Sequence, residues 1–156
     1  CILLNNAMEP YGDIKDKLKI FGGYGKQIRV FRDPRDIYYS GVENGNDSFL
    51  GGNIKEFISR YITQLNRCES NLDSVLDIGF ESLILDYDSM YKKLAGFMEQ
   101  EIQIENKGKF FKPVLSQKSI GAWRHSPNQK FYDEIKESLI KPNLVYFNYL
   151  KDLKIY

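Results

Sequence analysis

The 156 residues carry 22 Lys and Arg against 21 Asp and Glu, a net charge of +1, with 42% hydrophobic and 28% charged residues. So even a balance gives no molecule-wide field for nucleic acid or an acidic membrane, and any anion site must be local. No run of eighteen or more apolar residues occurs, which excludes a single-helix membrane span.

The length suits one domain, residues 1–156, with a core of its own. Cys1 and Cys68 are too few for a disulfide framework. The chain opens on Cys1-Ile-Leu-Leu4, an apolar run that reads as a buried strand already inside a fold. An N-terminal part of the domain is therefore expected upstream of Cys1.

Residues 11–19 are polar with sparse apolar positions, and Gly22-Gly-Tyr-Gly25 marks a turn. A second short strand is predicted over 27–32, broken at Asp33-Pro34 because proline has no N–H for a ladder. A helix opens near Asp36 with Pro34 close to its first turn. Glu43 to Asp47 and Gly51-Gly52 read as loop.

Ile54, Phe57, Ile58, Tyr61, Ile62 and Leu65 then recur at i, i+3, i+4, i+7, i+8 and i+11. That is the apolar stripe of an amphipathic helix, capped by Asn53. Phe80 to Tyr87 (FESLILDY) is predicted as a third strand centred on Leu83-Ile84-Leu85. Ser89 caps a further helix with Met90, Leu94, Phe97 and Met98 on its apolar side. Residues 101–112 read as loop or weak strand.

Ser126-Pro127-Asn128-Gln129 combines a cap, a proline at the first helical position and a capping-box glutamine. The helix it opens carries Phe131, Ile135 and Leu139 on one face and stops at Pro142. Strands alternating with helices predict an α/β sandwich with a central parallel sheet.

The chemistry concentrates at Gln27-Ile-Arg-Val-Phe-Arg-Asp-Pro-Arg-Asp-Ile-Tyr-Tyr-Ser40. In open parallel sheets ligands sit beyond the carboxyl ends of strands, and Arg32 lies at such an end. Its planar donor fork suits a phosphate, and the Ser40 hydroxyl can add a bond. The plainer alternative is a loop ion pair between Arg32 and Asp33 or Asp36, and spacing alone favours it.

This segment resembles the 3′-phosphate-binding segment of sulfotransferases that use 3′-phosphoadenosine 5′-phosphosulfate (PAPS). There a strand is followed by Arg-(Asp/Asn)-Pro-(Arg/Lys)-Asp, with a serine eight residues after the first arginine. Arg32, Asp33, Pro34, Arg35, Asp36 and Ser40 match that pattern. Two more segments follow in the family's order, so the resemblance covers most of residues 27–140. Leu83 to Met90 is similar to a strand ending in Tyr-Glu-Asp-Leu, with Tyr87 as the adenine-side tyrosine and Asp88-Ser89 departing from Glu-Asp. Ser116 to Arg124 resembles the C-terminal Ser-x-Gly-x-Trp-(Arg/Lys) stretch, whose basic loop folds over the 3′-phosphate. Lys118 is its candidate donor, although Ser116-Gln117-Lys118 stands where cytosolic eukaryotic members have Arg-Lys-Gly. Trp123 is read as a core anchor.

The resemblance implies a P-loop-like α/β fold and transfer of a sulfuryl group from PAPS to a hydroxyl or amine of a carbohydrate or small molecule. PAP, adenosine 3′,5′-bisphosphate, is the product. The cofactor-binding candidates are Arg32, Ser40, Tyr87 and Lys118. The family's 5′-phosphosulfate loop has no counterpart before Arg32, since Gly22–Gly25 lacks the Lys-Ser/Thr and precedes a strand. The segment alone is therefore expected to be inactive. Glu9 and His125 are the candidates for a catalytic base, and both read more simply as surface residues. A lone histidine and two distant cysteines give no metal signal. The aromatics lack the basic interleaving of a nucleic-acid surface. The alternatives are an inactive sulfotransferase-like interaction module and a P-loop kinase that shares only the α/β frame.

Overall fold

The structure, a computed structural model, describes residues 26–43, 45, 53–66, 73–101 and 112–156. Strand β1 (Gln27–Phe31) pairs in parallel with β2 (Val75–Gly79), in the register Gln27 to Val75 through Phe31 to Gly79. Parallel strands cannot be joined by a tight turn. The chain between them contains helix α1 (Pro34–Glu43) and helix α2 (Ile54–Asn66).

After β2 come α3 (Phe80–Leu85), α4 (Tyr87–Met98) and α5 (Pro113–Ser116), the last running into a 3-10 turn at Gln117–Ser119. A second 3-10 turn spans Ala122–His125. Helix α6 (Gln129–Ile135) continues as a π turn over Lys136–Ile140, closed by the Lys141 N–H on the Lys136 carbonyl. The short helices α7 (Leu144–Phe147) and α8 (Tyr149–Asp152) end the order. The described fold is thus α/β, mostly helical, with one small two-stranded parallel sheet.

The core lies among α1, α2, the α6–π segment and the C-terminal helices. Helix α2 contributes Phe57, Ile58, Tyr61 and Leu65, all on the predicted stripe, with Ile54 and Ile62 half-buried at its edges. Its start is built as expected: Asn53 Oδ1 accepts the Glu56 N–H at 3.0 Å. Ile135, Leu139, Ile140, Phe147 and Leu150 are wholly buried. Each such side chain contributes about 1.5–3 kcal/mol over its exposed state. Phe131 does not join them and is 40% exposed, because Tyr132 takes the inward place one residue on. Gln129 Nε2 donates to the Ser126 carbonyl at 2.6 Å, tying the start of α6 back to the preceding turn.

One predicted element is corrected. Phe80 to Tyr87 is not a strand: Phe80–Leu85 is helix α3, and the strand is the stretch before it, Val75–Gly79. A short apolar run such as Leu83-Ile84-Leu85 does not distinguish strand from helix by itself. The burial of Glu81 and Ile84, three residues apart, is the helical spacing that decides it. Helix α4 accordingly begins at Tyr87, two residues before the expected cap Ser89. The strand expected at 1–4, the polar stretch 11–19, the Gly22–Gly25 turn and Glu9 lie outside the described residues. So do Gly51-Gly52 and most of the 43–47 and 101–112 segments.

Candidate anion site at the end of the first strand

Pro34 ends the β1 ladder and starts α1, because its fixed φ suits a first helical turn and it has no N–H to satisfy. Asp33 is the cap. Its carbonyl accepts the Ile37 N–H at 3.1 Å, and its Oδ1 accepts the Arg35 N–H at 2.9 Å. The Arg35 side chain then folds back on the same carboxylate, with Nη2 2.7 Å from Oδ2 and Nε 2.9 Å from Oδ1. Both residues are buried. Arg35 Nη2 also donates to the Ile155 carbonyl at 3.1 Å, and its guanidinium lies 4.3 Å from the Trp123 ring centre.

Asp36 is taken by a different element. Its Oδ2 accepts the Gly121 N–H at 2.7 Å and its Oδ1 accepts the Trp123 N–H at 3.2 Å. Gly121 sits at φ +70°, a backbone region that glycine enters without a Cβ clash, and this turn aims both N–H groups at one carboxylate. Burial raises the Asp36 pKa above the ordinary carboxylate range, opposed chiefly by the Gly121 hydrogen bond.

The loop ion pair open to this segment therefore exists, but Arg35 makes it. Arg32 makes no ion pair among the described residues. Its Nη2 donates to the Ser119 carbonyl at 3.1 Å, its guanidinium rests 5.1 Å from the Phe80 ring centre, and its Nε is buried with no partner among the described residues. The Ser119 contact docks the Gln117–Ser119 turn on Arg32, so Lys118, exposed in that turn, is held one residue from the contact. Ser40 stands on α1 one helical turn after Asp36, on the same face and half-buried.

Tyr87 belongs to a different element. It is the first residue of α4, half-buried, with its ring stacked on Tyr91 at 5.9 Å. The aromatic at the end of the second strand is Phe80, and it is this ring that Arg32 rests on. Trp123 packs as an anchor: it is half-buried against the core, 5.6 Å from the Tyr132 ring. His125 is exposed at the end of its turn.

Two residues not anticipated from sequence complete the site. Glu81 is wholly buried; its Oε1 accepts the Asp33 N–H at 2.9 Å and its Oε2 accepts the Tyr149 hydroxyl at 2.9 Å. The same hydroxyl lies 3.4 Å from the Phe31 carbonyl oxygen. Tyr149 packs so close to β2 that a Cβ on Gly79 would fall 2.5 Å from its ring. The signal for Glu81 is positional: it stands two residues after Gly79, the last residue of β2.

Burial pushes the Glu81 carboxyl up to about 7, against the hydrogen bonds from the Asp33 N–H, its own N–H and the Tyr149 hydroxyl. The folded state therefore holds the proton more tightly than the unfolded chain. This contribution is full below the unfolded pKa, near 4.3, and is lost as pH rises through about 7. The loss is on the order of 3 kcal/mol. Glu81→Gln should remove it, so the wild type loses stability relative to the variant between pH 4.5 and 7.5 in urea melts. Parallel curves for the two proteins would contradict the assignment.

No family model, curated protein or solved structure matches this chain. The candidate site therefore rests on its residues and geometry. Among the described residues no three His, Cys, Asp or Glu side chains are grouped to hold a metal. No described helix is long and apolar enough to cross a membrane.

Proposed function

We propose that this chain supplies the 3′-phosphate half of the donor site of a PAPS-dependent sulfotransferase, within a P-loop-like sandwich whose central parallel sheet includes β1 and β2. One observation carries the proposal. Arg32, at the carboxyl end of a parallel strand, has a buried donor without a partner among the described residues, while neighbouring Asp33 and Asp36 are already engaged by Arg35 and by backbone N–H groups. A charged fork left without a carboxylate suits an incoming anion.

In this arrangement Arg32 grips the 3′-phosphate, Ser40 and Lys118 add donors, and Phe80 replaces Tyr87 as the strand-end aromatic beside the nucleotide. Asp36 anchors the Gly121 turn, and through it the basic Lys118 turn, over α1. The reaction breaks the bond between the sulfuryl sulfur and the 5′-phosphate oxygen and forms one to an acceptor oxygen or nitrogen. The acceptor proton passes to a base, and PAP leaves. Charge stabilisation and positioning carry most of the barrier lowering, as in phosphoryl transfer. The acceptor is a hydroxyl or amine of a carbohydrate or small molecule.

Calorimetric titration of the full-length protein with PAP and with 5′-AMP tests this directly, since AMP lacks only the 3′-phosphate. Hydrogen bonds to charged groups predict a preference for PAP of about tenfold or more. Equal binding of the two nucleotides would overturn it. PAP binding without sulfuryl transfer from PAPS would instead identify a non-catalytic relative.

A further inference from the structure

Three carboxylates are buried in and around the turn that carries Arg32: Asp33, Asp36 and Glu81. Asp33 has a cation, Arg35, on it. Asp36 has two backbone N–H groups and the nearby charge of Arg32. Glu81 makes no ion pair among the described residues. It is held by the Asp33 N–H, its own backbone N–H and the Tyr149 hydroxyl, and the charge that bears on it is the like-charged Asp33.

A buried carboxylate of this kind is the one most easily neutralised when further negative charge arrives. It is also tied into the anion site at two points. Its Oε1 holds the peptide N–H directly after Arg32, and the preceding residue, Phe80, is the ring beneath the guanidinium. Among the described residues the titratable groups that bear on it are Asp33, whose charge is paired with Arg35, and Tyr149 from α8. The Tyr61 hydroxyl, from α2, reaches the Arg32 carbonyl at 3.4 Å.

We propose that Glu81 is a proton-linked positioning residue: it takes up a proton when an anion binds at Arg32, and affinity for the anion falls as Glu81 ionises. The inference rests on the 3′-phosphate site above and adds to it a dependence on pH near neutrality. Protonated Glu81 still accepts the Asp33 N–H, so the turn keeps its shape while the opposing charge disappears. Burial already brings this carboxyl into the neutral range, so the change falls at physiological pH. Linkage is reciprocal, so a bound anion must in turn favour the protonated form.

PAP is titrated calorimetrically into the full-length wild type, Glu81→Gln and Tyr149→Phe between pH 6 and 8.5. The ratio of wild-type to Glu81→Gln affinity cancels the ligand's own phosphate titration. That ratio should fall roughly fivefold or more as pH rises from 6 to 8. In Tyr149→Phe the fall should move to higher pH, because the charged form has lost a donor. A merely structural role would not move the midpoint. A flat ratio, with PAP still bound, overturns the proton linkage and leaves the 3′-phosphate site standing. Absence of PAP binding at every pH overturns the site and this inference with it. Should Glu81→Gln fail to fold, the wild type decides alone. Its net proton uptake on binding PAP, compared across buffers of different ionisation enthalpy, should peak near pH 7, and zero uptake beyond that of PAP overturns the proposal.

Discussion

Arg35→Ala should destabilise the protein by about 3–5 kcal/mol, the loss expected when one partner of a buried ion pair is removed. Asp33 would remain buried with its charge uncompensated, and the Ile155 carbonyl would keep only the Arg124 guanidinium as a donor. The stacking of Arg35 on Trp123 would go as well, loosening the turn that presents Lys118. Against a total stability of about 5–15 kcal/mol, this is enough to leave much of the protein unfolded in mild urea. The double variant Asp33→Asn with Arg35→Met should recover part of the loss. It leaves no unpaired charge and keeps an acceptor for the residue 35 N–H. Urea midpoints of the single and double variants measure both effects. A loss below about 1 kcal/mol for Arg35→Ala would mean the pair is not buried as described.

Arg32→Ala, three residues away, should do the opposite. Its guanidinium makes one hydrogen bond and one ring contact, so little fold stability depends on it. The urea midpoint should move by no more than about 1 kcal/mol. PAP affinity should fall by roughly 1.5–3 kcal/mol, as for a hydrogen-bonded charge on a phosphate. On the proposed site the two arginines of one short motif are thus separable: Arg35 holds the turn, and loss of Arg32 should show in ligand binding alone. Ser40→Ala should cost less than Arg32→Ala, since a neutral hydroxyl contributes a weaker bond.

Much of this was legible in the residues. The α2 stripe and its Asn53 cap, the break at Asp33-Pro34 and the opening of α1 all follow from local rules, and tertiary packing did not override them. That Ser116–Arg124 belongs with Arg32–Asp36 was suggested by the resemblance, and in the structure those segments touch through Asp36 and Ser119.

The failures have a common cause. Leu83-Ile84-Leu85 was the most apolar run in its region and drew the strand assignment away from Val75–Gly79, whose central Asp77 makes it look less buried. Asp77 is tolerated there because Arg29, opposite it in the register, holds it with bonds of 2.6 and 2.7 Å. That pairing is a fact of the sheet and is invisible in either strand alone. The displaced strand in turn hid Phe80 and Glu81. Tyr149 lies 68 residues from the glutamate it serves, and no local pattern could have joined them.

The most direct test of the central claim is a calorimetric cycle: PAP and 5′-AMP, each titrated into full-length wild type and Arg32→Ala. A 3′-phosphate clamp predicts that the wild type prefers PAP by about tenfold or more and that Arg32→Ala abolishes most of that preference while AMP binds both equally. A preference for PAP that survives in Arg32→Ala would contradict the assignment of this turn as the clamp.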